Sequence, residues 1–120
     1  MTLLELELEG LPPTVNHLYG MSGRRKYKTP EGKAYQERVI SQMQKQYSAE
    51  PYTGPVGLRI VFTTADRRRW DIDNRVKALQ DCLTMAGVLA DDRQVDILHV
   101  ERKYGAGATT HLQLEVFQRG

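Results

Sequence analysis

The 120-residue chain contains a single cysteine, Cys82, and a single tryptophan, Trp70. One thiol excludes an internal disulfide framework and any Cys-rich zinc site. Cys82 lies in a stretch of helical periodicity, where it reads as a small buried hydrophobe rather than a nucleophile. No segment approaches the ~20 consecutive apolar residues of a membrane helix. The opening Met1-Thr2-Leu3-Leu4-Glu5 lacks a basic leader region. A cytoplasmic protein without a membrane partner is therefore expected. Neither a P-loop nor a Gly-rich nucleotide fingerprint occurs, so no nucleotide cofactor is expected. Internal repeats and low-complexity tails are missing, and the length suits one domain spanning residues 1–120. His17, His99 and His111 have no zinc-ligand spacing and read as structural or phosphate-adjacent. His99 and His111 flank a Gly105–Gly107 turn and are placed to face each other across a hairpin.

What is present is patterned. Hydrophobic residues make up 40% and charged residues 27%, and the formal net charge is only +2. The distribution of charge says more, because one early segment is acidic and two clusters are strongly basic. Such asymmetry suits a protein with one face turned toward phosphates. Leu4, Leu6 and Leu8 alternate with Glu5, Glu7 and Glu9, the period of a half-buried strand. Gly10-Leu11-Pro12-Pro13 ends it, and residues 10–29 show no clear period, so they are expected to form a long basic loop. Thr29-Pro30-Glu31 supplies an N-cap, a proline at N1 and a first-turn acid. Tyr35, Val39, Met43 and Tyr47 then mark the buried stripe of a helix.

Leu58, Ile60 and Phe62 predict a second strand, from Val56 to Thr64. A second helix is predicted from Asn74 to about Ala86, carried by Val76, Leu79, Leu83 and Ala86 and stopped at Gly87. Strands follow over Gln94 to Tyr104 and around Leu112, Leu114 and Val116. The order is β-α-β-α-β-β, an α+β domain with two helices on a mixed sheet of about four strands.

The richest chemistry lies in Asp71-Ile72-Asp73-Asn74-Arg75-Val76-Lys77. Carboxylates two apart diverge on a helix but share a side of an extended backbone. The pair is thus expected to converge just before the second helix, with Asp73 as its N-cap and Lys77 reaching back toward the same face. Asp91-Asp92 follow that helix. If the chain folds back to join the two acidic segments, their oxygens make a hard-ligand site suited to Mg²⁺, or to Mn²⁺ in its place. The competing reading is that these acids are caps and solvated surface, and Lys77 a solvated lysine.

Basic neighbours bear on the choice. Arg67, Arg68 and Arg69 immediately precede Trp70 and Asp71, an arrangement that sets phosphate binders beside metal ligands. Arg24, Arg25, Lys26 and Lys28 are interleaved with Tyr19 and Tyr27, which suits a nucleic-acid backbone with unstacked bases. Trp70 reads either as packing on the core edge or as stacking on a base at a branch point.

Together these blocks resemble the RusA-type Holliday junction resolvases, small endonucleases often carried by prophages. The resemblance spans nearly the whole chain, through Leu11-Pro12-Pro13-x-x-Asn16, Glu31-Gly32-x-x-Tyr35, Asp66-Arg-Arg-Arg-Trp-Asp-Ile-Asp-Asn-x-x-Lys77, Asp81-x-Leu83-x-x-Ala86-Gly87-Val88 and Asp91-Asp92-x-Gln94-Val95. It implies that Asp71, Asp73 and Asp92 are catalytic, metal-binding carboxylates, with Asp91 an accessory acid and Lys77 required for cleavage. It implies DNA contacts from the Arg67–Arg69 run. It also implies a homodimer that resolves four-way junctions by paired Mg²⁺-dependent hydrolysis in recombination and repair. Trp70 stands where another basic residue is expected. Symmetry agrees with the dimer, since a four-way junction is nearly two-fold and needs two opposed nicks. Two other functions stand beside this one: a non-catalytic branched-DNA-binding module, and a nuclease acting mainly on forks or flaps.

Overall fold

Strand β1 (Thr2–Glu9) buries Leu4, Leu6 and Leu8 and exposes the glutamates between them, as their alternation predicts. Its leucines meet β6 (Ala108–Val116) antiparallel, with Leu4 opposite Leu114 and Leu6 opposite Leu112. β6 in turn pairs antiparallel with β4 (Val56–Thr64), whose Leu58, Ile60 and Phe62 are almost fully buried. β4 pairs in parallel with β5 (Val95–Tyr104), completing a mixed sheet in the order β1-β6-β4-β5. The computed structural model describes residues 1–68 and 70–116. The DNA contact expected of Arg69 lies outside the described residues.

A parallel pair needs a crossover, and α3 (Val76–Met85) supplies it between β4 and β5. α2 (Pro30–Gln46) begins as expected, with the Thr29 hydroxyl accepting from the Gly32 amide at 3.0 Å. The two helices contact each other, and Tyr35, Val39 and Met43 join Val76, Leu79, Cys82 and Leu83 in the common core. α3 ends at Gly87, which adopts φ +78° while the Val88 amide donates to the Leu83 carbonyl at 3.0 Å. Burial raises the Cys82 thiol to about 12, which accords with an inert packing role.

Three expectations are corrected. Residues 10–29 are not a plain loop. They hold a one-turn helix, α1 (Val15–Leu18), and a ribbon of β2 (Tyr19–Ser22) and β3 (Arg25–Lys28) turned at Gly23, φ +63°. Fully buried Leu18 anchors this segment, and the Thr29 hydroxyl donates to the His17 carbonyl at 2.6 Å. Next, β5 and β6 do not pair, because β4 lies between them. The Gly105–Gly107 turn straddles the end of β4, with the Gly105 amide on Thr64 O at 3.1 Å and the Ala65 amide on Gly107 O at 2.9 Å. His99 therefore sits 3.3 Å from Glu101, and His111 sits 2.8 Å from Glu5. Finally, α3 is preceded by a 3₁₀ turn, Ile72–Arg75, so Asp73 lies within a turn and is not the N-cap.

Candidate functional site

The acidic residues gather around the two ends of α3. Asp71 has an extended backbone and its carbonyl accepts from the Asn74 amide at 3.2 Å, opening the 3₁₀ turn. Its side chain makes no capping bond. A 3₁₀ turn has about three residues per revolution, so side chains two apart diverge. Asp71 and Asp73 accordingly line different cavities. Asp71 borders one of about 630 Å³ with Arg67, Trp70, Arg102 and Tyr104. Asp73 borders one of about 470 Å³ with Lys77, Gln80 and Leu98.

At the other end of α3, Asp91 and Asp92 border a third cavity, of about 390 Å³, with Asp81, Tyr19 and Lys28. Asp91 does act as a cap. Its carboxylate accepts from the Arg93 amide at 2.9 Å, and the Gln94 Oε1 accepts from the Asp91 amide at 2.8 Å. Hydrogen bonds from Arg93 hold the Asp91 carboxyl down at about 2. Among the described residues, no three His, Cys, Asp or Glu side chains stand close enough to hold one ion. Asp91 and Asp92 are brought together, and Asp73 shares its cavity with Lys77, but the four expected ligands do not share one cavity.

Asp73, Lys77 and Asp81 follow one another at helical spacing, and Lys77 joins the two acidic regions. Its ammonium lies 3.4 Å from Asp81, reaching forward along α3 rather than back. Tyr19 donates to the other Asp81 oxygen at 3.3 Å, and burial followed by the Asp81 charge raises the Tyr19 phenol. Sequence reasoning assigned Asp81 no role, though its place four residues beyond Lys77 was the available signal. Lys28, expected on DNA, borders the cavity of Asp81, Asp91 and Asp92.

The arginine run divides. Arg68 is engaged by Asp66, with Nε and Nη2 on the carboxylate at 3.0 and 2.7 Å and its amide at 2.9 Å. Those bonds hold the Asp66 carboxyl at about 2. Arg67 lies over the Tyr104 ring, 4.6 Å from its centroid. Trp70 meets Phe62 edge-on at 5.7 Å and is flanked by the guanidinium groups of Arg75 and Arg102, at 4.8 and 5.0 Å. Arg102 also donates to the Trp70 carbonyl at 2.7 Å, and Arg75 donates to the Pro12 carbonyl at 2.6 Å. On the ribbon, Arg24, Arg25 and Lys26 are exposed, and Lys26 stands over the Tyr19 ring at 4.2 Å.

The donor chemistry around α3 is all carboxylate oxygen, which fits a hard divalent cation. Mg²⁺ is commonly held by one or two carboxylates, with water and substrate phosphate supplying the rest. Asp91 and Asp92, which border one cavity, suit that mode, whereas Asp71 and Asp73 border different ones.

Comparison with known proteins places these features in company. Residues 9–116 match the family described as Endodeoxyribonuclease RusA. A Crossover junction endodeoxyribonuclease RusA from Aquifex aeolicus is 29% identical over 108 residues, covering 89% of this chain and 86% of that protein. Proteins of the same name from Escherichia coli K12 and Enterobacteria phage 82 are each 38% identical over 84 residues, covering 70% of both chains.

Proposed function

The chain belongs to the RusA family of endodeoxyribonucleases, and from that premise we propose that it resolves four-way DNA junctions by paired, Mg²⁺-dependent phosphodiester hydrolysis as a homodimer. The observation that carries this reading is the uncapped Asp71 beside a cavity rimmed by arginines, with Asp73 and Lys77 one 3₁₀ turn away. Capping, the alternative use of such acids, accounts for Asp91 but not for Asp71.

For Asp71, Asp73 and Asp92 to hold one divalent ion, with Asp91 beside them, the 3₁₀ turn and the segment after α3 would have to close together, because the four border three separate cavities. A bound ion of this kind lowers the pKa of an attacking water and offsets phosphate charge. The carboxylates orient that water toward the phosphorus. The Lys77 ammonium offsets the charge that builds on the phosphate oxygens as the P–O bond to the leaving strand breaks. Arg67, which borders the Asp71 cavity, and the ribbon residues Arg24, Arg25 and Lys26 would grip the backbone.

A second copy is needed for the opposed nick. β5 lies at the sheet edge with Ile97 and Leu98 exposed, and Leu98 also borders the Asp73–Lys77 cavity. Docking a second chain on that edge would set two acidic sets about a two-fold axis. Acting on chromosomal or phage DNA, it would work in the cytoplasm.

The test offers the wild-type chain a synthetic four-way junction, a fork, a flap and a linear duplex, each with Mg²⁺ or with EDTA. Paired nicks confined to the junction with Mg²⁺ are expected. Faster cutting of forks or flaps would reassign the substrate, and binding without scission under any divalent ion would leave only a DNA-binding module.

A further inference from the structure

We propose that the cavity bordered by Arg67, Arg102 and Tyr104 is a subsite for one unstacked nucleotide of branched DNA, in which Tyr104 supplies the stacking plane and the two arginines meet the phosphate. The proposal rests on the DNA-cleaving reading above and adds Arg102 and Tyr104, which that reading does not use.

Tyr104 closes β5 and is 42% exposed, so one part of its ring is open to a ligand. Arg67 and Arg102 approach it to 4.6 and 5.7 Å. Neither forms an ion pair among the described residues, whereas Arg68, next to Arg67 in the chain, is engaged by Asp66. Asp71 borders the same cavity, but the two guanidinium groups outnumber its one carboxylate and form no ion pair with it, so the rim suits an anion, and Arg is the residue best shaped for phosphate. The cavity, about 630 Å³, falls within the range that takes small organic ligands.

Aromatic and guanidinium planes together take a base only where its own face is open. Paired bases within a duplex are already stacked, so a branch point or an extruded base is the matching ligand. Tyr104 is the more open plane, because Trp70 is half-buried with its ring against Phe62 and two guanidinium groups, whereas only guanidinium groups approach Tyr104. Trp70 is a positioning residue that holds Arg102 through both its ring and its carbonyl.

Binding is measured in EDTA, so that no strand is cut, with three probes. These are a linear duplex, the same duplex carrying one unpaired central base, and a four-way junction. Wild-type chain is expected to prefer the last two. Tyr104→Ala is expected to weaken those two about tenfold, the worth of one base–aromatic stack, and to change duplex binding less than about twofold. Tyr104→Phe retains the wild-type pattern. Trp70→Phe, which keeps a plane for Arg102, retains the discrimination that Trp70→Ala loses. An unchanged Trp70 emission maximum in the Tyr104 variants reports an intact fold. Equal losses on all three probes, or none on any, overturn the subsite, as does a wild-type chain without preference for an unpaired base. Cutting of the junction by wild-type chain in Mg²⁺, scored separately, tells failure of the subsite from failure of the nuclease reading.

Discussion

The Lys77 ammonium lies 3.4 Å from the Asp81 carboxylate, one helical turn further along α3, and Tyr19 binds the opposite oxygen of the same group. Asp81 therefore orients the Lys77 cation, whose side chain also borders the cavity of Asp73. Removing the cation itself, in Lys77→Met, is expected to slow junction cutting by roughly 10²-fold, the usual loss for a donor at developing charge. Asp81→Asn should fall between that variant and wild type. Single-turnover cleavage under saturating Mg²⁺ checks both, with melting curves alongside. Half-exposed Lys77 contributes little to folding through this pair, so both variants should melt within a few degrees of wild type.

Neutralising Asp73 or Asp92 is expected to abolish cutting while leaving junction affinity unchanged or improved, because a negative charge near phosphate is removed. Gel-shift titration beside cleavage measures the two separately. Binding that collapses together with cleavage would assign these residues to folding.

Arg67 and Arg68 are adjacent but differently engaged. Arg67 has no carboxylate partner among the described residues, and Arg68 is held by Asp66. Arg67→Ala should reduce the slope of log affinity against log salt by about one, the signature of one lost phosphate contact. Arg68→Ala should reduce it less. Equal slopes for the two variants would remove the distinction.

Acid sensitivity follows from two carboxyls held at about 2, Asp66 by Arg68 and Asp91 by Arg93. Each titrates lower in the folded chain than in the unfolded one. Their stabilisation is therefore complete above about pH 4 and disappears as pH falls toward 2. Melting temperature should drop through that window, and it should drop less in Asp66→Asn and Asp91→Asn. A variant as acid-sensitive as wild type contradicts the assignment for that residue.

Gln36 is 1% exposed in the core, and neither side-chain polar atom has a partner among the described residues. An unsatisfied buried amide costs roughly 1–3 kcal/mol. Methionine has similar length and no such demand, so Gln36→Met should raise the urea midpoint without altering cleavage.

Much of this fold was legible because local patterns and tertiary needs coincide. The Leu–Glu alternation of β1, the Thr29-Pro30 start of α2, the bounds of β4 and the Gly87 stop of α3 each follow from side-chain period or cap chemistry. The ribbon within residues 10–29 was hidden because strands of four residues are too short to show a period. The separation of β5 from β6 was hidden for another reason. A short glycine turn signals a hairpin, and nothing local reveals that β4 lies between the two strands. At the site, the acids were recognisable by type and spacing. The 3₁₀ turn that parts Asp71 from Asp73 was not, since Ile72–Arg75 reads equally well as the first turn of a helix. Asp81, Arg102 and Tyr104 acquire meaning only once α3 and the end of β5 are placed beside Lys77 and Trp70.

The most direct measurement compares wild-type chain with Asp71→Asn on one labelled four-way junction in Mg²⁺, scoring strand scission on a denaturing gel and complex formation on a native one. Wild-type chain should nick two opposed strands symmetrically, and the variant should bind the junction and leave every strand whole. Undiminished cutting by Asp71→Asn, or intact strands with wild-type chain, would contradict the account.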